Sequence, residues 1–271
     1  RSFQKNALLV IDGLAFDQWV ILREIIMNKM GNEISMEEDG AFAWVPTLTS
    51  VSRQAIFSGK VPLFFSGSLG STSSEKKQWI RFWEGYGLKP IEIGYVLEKK
   101  NQNEEDFLKE VIKVAELPKM QVLGVVLNKI DQSMHGIQTG SGGMHALVEQ
   151  WGNSGSLIHL INQLLKLEYK INITSDHGNI HGQGIGKPDV GVIAHERGER
   201  AHVFNDEILR DGVARDYPNA IVWPQIGLPE SWKVLLAPGR SAFIKKGKQT
   251  VAHGGIAMEE VIVPRVSIGR I

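Results

Sequence analysis

The sequence predicts an α/β fold with a mostly parallel central sheet and helices on both faces. Short apolar, β-prone runs alternate with longer stretches of helical periodicity, and three of those runs each deliver an aspartate at or just past their C-terminal ends. In open α/β sheets that edge is where ligand sites form. Ala7-Leu8-Leu9-Val10-Ile11 is a continuous run of the kind buried on both faces of a parallel sheet, and it stops at Asp12-Gly13. Residues 19–30 then carry Trp19, Leu22, Ile25, Ile26 and Met30 as a helix-like stripe. Residues 104–117 read as a second amphipathic helix, with Phe107, Leu108, Val111, Ile112 and Ala115 on one face and Pro118 as its stop. Residues 121–127 follow as a buried strand ending near Asp131. Residues 156–167 form a third helix, and 170–174 a strand running into Ser175-Asp176-His177-Gly178.

The stretch 182–247 is less regular, with several Gly and Pro, and is expected to be a β-rich insertion or cap. Residues 250–255 read as a short helical or turn piece and 261–264 as a final strand. The expected organisation is one domain over 1–271 with the insertion inside it, and a start without Met points to a fragment of a longer protein.

Composition narrows the function. Thirty Lys+Arg balance thirty Asp+Glu, with eight His and no Cys among 271 residues. The absence of Cys removes thiolate nucleophiles, thiolate metal sites, iron–sulfur clusters and disulfides, and suits a reducing, cytoplasmic setting. Any metal must sit on His and carboxylates. Balanced, scattered charge argues against a dedicated duplex-DNA binder but leaves room for a phosphate substrate in a small pocket. No apolar run approaches the roughly 20 residues of a bilayer span, and the first residues read straight into a strand rather than a signal peptide, so no membrane partner is expected.

Asp12, Asp131, His135, Asp176, His177 and His253 are six oxygen or nitrogen ligands beside Gly residues or at predicted strand ends. Taken singly, an Asp after a strand is usually a turn former or helix cap, and a single His an ordinary surface or core residue. Their joint arrangement favours ligation. Asp131 and His135 are four apart, and the Gly after His177 and the Gly pair after His253 allow the turns such loops need. Carboxylate and imidazole without thiolate suit Zn²⁺ or Mn²⁺, and six ligands suffice for two ions sharing a substrate. Paired ions make a phosphate ester the leading substrate class, because they stabilise both attacking and leaving oxygens. Thr49, at the start of a helical segment after Pro46, reads either as a cap or, if it faces the metals, as a nucleophile on phosphorus.

Val10-Ile11-Asp12-Gly13-Leu14, Pro46-Thr47-Leu48-Thr49, Asp131-x-x-x-His135, Ser175-Asp176-His177-Gly178 and His253-Gly254-Gly255 stand in the order of the alkaline phosphatase superfamily, which the sequence resembles. Ile11-Asp12-Gly13-Leu14-x-x-Asp17-x-Trp19, Thr49-Ser50-Val51-Ser52-Arg53-Gln54-Ala55, Gly184-Ile185-Gly186-Lys187-Pro188 and residues 252–264 are similar in particular to the PglZ domain of BREX and Pgl phage-defence systems. These motifs span almost the whole chain. The resemblance implies an alkaline-phosphatase-like fold in which Asp12, Thr49, Asp176 and His177 surround one metal ion and Asp131, His135 and His253 hold another, zinc before manganese. It implies Thr49 as nucleophile rather than Thr47 or Ser50, because Pro-Thr-x-Thr matches the nucleotide pyrophosphatase/phosphodiesterase branch, where the second Thr attacks. That branch commonly carries an Asn three residues later. Here the position is Ser52, followed by Arg53, to which phosphate recognition is expected to pass.

The implied function is a two-metal phosphodiesterase or nuclease acting on nucleotide or nucleic-acid linkages, alongside other phage-defence proteins. A phosphomonoesterase or phosphomutase on the same site is the first alternative, and an interaction module with secondary catalysis the second. His181 matches no motif and reads as a bystander, and Glu259 and Glu260 as the approach to the last strand. Gly182-x-Gly184-x-Gly186-Lys187-Pro188 is one residue short of a phosphate loop and has Pro in place of the Ser or Thr. There is no Gly-x-Ser-x-Gly elbow. Trp79 and Trp83, four apart, read as core packing.

Overall fold

The computed structural model describes residues 4–134, 140–189 and 198–271, together with the backbone of 192–193. The first half of the chain runs β1 (Asn6–Ile11), α1 (Phe16–Met30), β2 (Ile34–Phe42), α2 (Thr49–Ser58), α3 (Glu75–Glu84), β3 (Ile93–Leu97), α4 (Glu104–Ala115), β4 (Val122–Leu127) and α5 (Lys129–Met134). It continues with α6 (Gly140–Ser154), α7 (Ser156–Lys166), β5 (Lys170–Thr174), β6 (Ile180–Gly184), β7 (Val192–Ile193), β8 (Ala201–Phe204) and α8 (Glu207–Asp216). The chain closes through β9 (Ile221–Trp223), β10 (Lys233–Leu236), β11 (Ser241–Ala242), β12 (Gln249–Ala252), α9 (Met258–Val261) and β13 (Ile262–Arg270).

The main sheet has the order β2-β13-β5-β1-β4-β3. Its β5, β1, β4 and β3 are parallel, and β13 runs antiparallel to both β5 and β2. Because alternate side chains of a strand point to opposite faces, the apolar run of β1 feeds two cores. Ala7, Leu9 and Ile11 pack with Trp19, Leu22 and Ile26 of α1, Val111 of α4 and Leu160 and Leu164 of α7. Val10 turns the other way, onto Phe57 of α2 and Trp79 of α3. Helices thus cover both faces, and Trp79 and Trp83 lie against the core as expected. The amphipathic α4 starts where the Asn103 side chain accepts hydrogen bonds from the N–H groups of Glu105 and Asp106, with three acids in its first turn facing the positive end of the helix dipole.

Three elements differ from expectation. Residues 249–252 form strand β12 antiparallel to β6, with Val251 opposite His181, so only His253-Gly254-Gly255 remains a turn. The last strand spans nine residues instead of four, because it pairs on both sides, with β5 and β2. Strand β2 itself escaped the apolar pattern. Its Glu37, Glu38 and Asp39 lie at a sheet edge, where one side of the strand stays solvated.

The stretch 182–247 contributes to two small sheets, β7-β8-β10-β9 and β11-β6-β12, with one helix, α8. Ala201, Val203, Val234 and Leu236 pack on Leu48 and Val51 at the start of α2. This anchors the helix N-terminus that carries Thr49. Among the described residues no helix is long and apolar enough to cross a membrane.

Candidate metal centre

Asp12 follows β1 and Asp176 follows β5, which are hydrogen-bonded neighbours, so their side chains emerge together at the C-terminal edge of the sheet. Cross-braces fix the two loops. Asp176 Oδ1 accepts the Gly13 N–H at 3.1 Å and the Ser175 hydroxyl oxygen accepts the Leu14 N–H at 3.0 Å. The Asn179 amide donates to the Gly13 carbonyl at 2.7 Å. Two glycines permit this crossing. Gly13 has φ +73°, where L side chains are strained, and a Cβ on Gly178 would sit 1.8 Å from the Glu259 carbonyl oxygen.

Asp12, Asp176 and His177 offer ligand atoms that all lie within 4.8 Å of one another. All three are at least 96% buried. His177 Nε2 stands 3.7 Å from Asp12 Oδ1 and 3.7 Å from Asp176 Oδ2, and neither of these buried oxygens accepts a hydrogen bond among the described residues. Buried carboxylate oxygens without donors are costly unless a cation meets them, so the donor set fits a divalent ion. Two oxygens and one imidazole nitrogen suit Zn²⁺ or Mn²⁺.

The imidazoles are held in the matching tautomer. His177 Nδ1 donates to the Gly178 carbonyl at 3.0 Å, which in the neutral ring turns the Nε2 lone pair toward the carboxylates. His253 Nδ1 donates in the same way to the Thr47 carbonyl at 2.9 Å, and its ring stacks on that of His177 with centroids 3.9 Å apart. The Thr47 hydroxyl locks the loop from the other side, donating to Gly255 O and accepting the Gly254 N–H. That hydroxyl is fully engaged. The Thr49 hydroxyl instead points at the cluster, with Oγ1 3.0 Å from His177 Nε2, and it does not cap its helix, whose N-cap is Leu48. Thr49 is half-buried, at the rim of an otherwise closed cluster.

Asp131 lies in α5, its Cβ 3.6 Å from where a Cβ on Gly13 would be, which places its backbone beside the Asp12 loop. His135 lies outside the described residues. His181 is not a member of the Asp12–Asp176–His177 cluster, and its ring rests against Gly140. Glu260 does more than precede the last strand, since it is fully buried and bonded to Arg200 at 2.9 Å.

Arg53, expected to take over phosphate recognition, is engaged with carboxylates. The residue is only 3% exposed. Its Nε and Nη2 donate to the two carboxylate oxygens of Glu75 at 2.9 and 3.1 Å, and its Nη1 to Asp12 Oδ2 at 2.7 Å and Asn128 Oδ1 at 3.2 Å. Four of the five guanidinium donors are therefore spoken for, and Arg53 is braced between Asp12 and Glu75. Glu75 is held in turn by the Tyr95 hydroxyl at 2.8 Å. Ser52, in the position after which Arg53 comes, turns its hydroxyl to the Trp44 carbonyl. Glu75, Tyr95 and Asn128 had no motif to announce them. Glu75 is the first residue of α3.

Burial and neighbouring charge together shift the ionisable groups here. Burial and the neighbouring Asp12 carboxylate push Asp176 well above the usual carboxylate range, against the pull of Arg53. Burial likewise raises Glu75, although Arg53 opposes it. Burial disfavours the Arg53 cation, but the charges of Asp12 and Glu75 more than offset this and hold it protonated. One cation thus serves three buried carboxylates.

A family model described as the BREX system PglZ alkaline phosphatase-like domain matches residues 1–268. No curated protein matches the sequence significantly. Murine ectonucleotide pyrophosphatase/phosphodiesterase 5 is similar in fold, with a TM-score of 0.73 and 13% identity over 98% of this chain and 88% of that one. Its inactive threonine-to-alanine variant in complex with AMP gives the same values. Phosphonoacetate hydrolase from Sinorhizobium meliloti 1021, in complex with phosphonoformate, has a TM-score of 0.60 and 11% identity, covering 98% of this chain and 90% of its own.

Proposed function

The chain belongs to the BREX-system PglZ family of the alkaline phosphatase-like phosphoesterases, and from that premise we propose that it is a two-metal phosphodiesterase with Thr49 as nucleophile. The observation that carries this is the Thr49 hydroxyl, 3.0 Å from His177 Nε2 inside a buried carboxylate–imidazole cluster. Asp12, Asp176 and His177 would hold one divalent ion with Thr49 beside it, and Asp131, His135 and His253 a second, with Zn²⁺ the first choice and Mn²⁺ the next. Such ions, when bound, supply Lewis-acid stabilisation of the charge that develops on the attacking, transferring and leaving oxygens.

The chain supplies the rest. Thr49 sits at the first position of α2, where free backbone N–H groups and the helix dipole favour the anionic substrate and the developing alkoxide. Its Oγ1 loses its proton to solvent and forms a bond to phosphorus as the bond to the leaving oxygen breaks, and the leaving oxygen takes the electron pair and a proton from solvent. Water then cleaves the phosphothreonine and returns the Thr49 hydroxyl. Arg53 acts by positioning Asp12, not by contacting phosphate. Glu75 and Tyr95 hold Arg53 in turn.

A nucleotide or nucleic-acid linkage is the proposed substrate, supported by the fold shared with a nucleotide phosphodiesterase and its AMP complex. The family description supports a place among the proteins of a BREX phage-defence system, and the Cys-free composition suits the cytoplasm. The test is hydrolysis of a bis-aryl phosphate against its monoester, with Zn²⁺ or Mn²⁺ loaded, for wild type and Thr49→Ala. A diester preference lost in the variant supports the proposal. A monoester preference moves it to phosphatase or mutase, and a metal-loaded protein inert on both moves it to an interaction module.

A further inference from the structure

Between the segment 58–68, which follows from the end of α2, and α3 lies an open groove of about 590 Å³. Lys60, Lys77 and Arg81 line it, together with the rings of Phe64, Phe82 and Tyr86, and no carboxylate does. None of the three cations has an ion-pair partner among the described residues. Phe64 and Tyr86 are 74% and 70% exposed. A chain with no net charge has gathered cations and bare aromatic rings in one place, where water is a poor partner for the rings and self-repulsion disfavours the cations.

We propose that this groove docks single-stranded nucleic acid, with Lys60, Lys77 and Arg81 on phosphates and Phe64 and Tyr86 stacked on bases. Cations alone would suit any polyanion. The rings select one with flat π-faces, and stacking requires bases that are not already paired in a duplex. An acidic peptide has the charge but not the faces. Position favours the same ligand. The groove touches Ser58, the last residue of the helix that begins with Thr49, and Ser74, which precedes the Glu75 that holds Arg53 against Asp12. Along α2 the separation from Thr49 is about 14 Å, a span that roughly four nucleotides at ~3.4 Å each cover. The choice of ligand rests on the phosphodiester reading of the metal centre, with the groove as a holding site for the strand outside it.

The test is fluorescence anisotropy of a labelled oligonucleotide of about twelve residues, with divalent ions chelated so that nothing is cleaved. Three exposed-site variants are compared with wild type: Lys60→Glu with Lys77→Glu and Arg81→Glu, Phe64→Ala, and Tyr86→Ala. Charge reversal is expected to weaken binding at least tenfold and to flatten the salt dependence. Each aromatic variant should weaken it about five- to tenfold with the salt dependence unchanged. Hydrolysis of a small bis-aryl phosphate should stay at wild-type rate in all three, which also reports that they are folded. The inference is overturned if wild type does not bind the oligonucleotide, if the variants bind like wild type, or if duplex or polyglutamate competes as well as single strand. Groove-dependent binding by a protein that hydrolyses no diester would sink the phosphodiesterase reading and leave the groove standing. Diester hydrolysis without groove-dependent binding would do the reverse.

Discussion

Two buried arginines in this molecule face opposite electrical situations. Arg200 is 1% exposed and meets one carboxylate, Glu260, at 2.9 Å, with the Gly239 and Ser241 carbonyls on its other donors. Glu260 spends its remaining capacity on the N–H groups of Gly255 and Ala257. That site balances one charge against one, and each guanidinium nitrogen and both carboxylate oxygens have a partner. Arg53 is as deeply buried but stands among Asp12, Glu75 and Asp176, and two carboxylate oxygens there accept no hydrogen bond among the described residues. Its surplus of negative charge has no value for stability unless something positive completes it. A balanced buried pair therefore reads as scaffold and an unbalanced one as a cation site.

The comparison can be broken at several points. The largest effect is expected at the unbalanced site, where Thr49→Ala should lower kcat for a diester on the order of 10⁴-fold. Divalent-ion affinity and the unfolding midpoint should stay near wild type, as titration calorimetry and urea denaturation would report. At the balanced site Glu260→Gln leaves the Arg200 charge buried and uncompensated, at a cost of about 3–5 kcal/mol of stability in urea unfolding. A loss below 1 kcal/mol would mean that the closed pair is not scaffold.

Glu75→Gln sharpens the contrast, because Arg53 keeps Asp12 as a partner. Its stability loss should be smaller than that of Glu260→Gln, and the main consequence should appear as roughly 10- to 100-fold weaker divalent-ion binding, the usual effect of removing an outer support of a ligand. Unchanged metal affinity would separate Glu75 from the site. The smallest effect is a pH slope. Asp176 is raised in the folded state by burial and by Asp12, so the folded chain binds more protons than the unfolded one above the ordinary carboxylate range. Its contribution to stability is present at low pH and is lost as pH rises through the raised value. Chelated wild type should thus be less stable at pH 8 than at pH 5 by more than Asp176→Asn is, and saturating metal should reverse the slope.

The groove beside α3 was invisible to periodicity, since Lys60, Phe64, Lys77, Arg81 and Tyr86 are scattered over 27 positions and only the packing of the segment after α2 beside α3 collects them. The same is true of Glu75. Nothing in Ser74-Glu75-Lys76 distinguishes a buried clamp on Arg53 from a solvated first-turn acid. Strand β2 was unreadable because its Glu37-Glu38-Asp39 run belongs to an edge with a solvated side, where apolar alternation is not required.

By itself the sequence determined three of the four parallel strands, β1, β4 and β5, with the helices α1, α4 and α7, because an apolar run such as residues 7–11 can satisfy both faces only inside a covered sheet, and β1 is buried there. It also determined which turns carry Asp12, Asp176, His177 and His253, because polar residues beside Gly at strand ends mark turns at the ligand-binding edge, and it put Thr49 at the start of a helix. Only the tertiary structure decided which of these meet. Asp12 and Asp176 are 164 residues apart and become neighbours through the pairing of β1 with β5. Arg53 meets Asp12 on one edge because Glu75 arrives from another helix to take its other edge. Local pattern fixes what a segment can be, whereas charge balance is a property of groups that only folding brings within a few ångströms of one another.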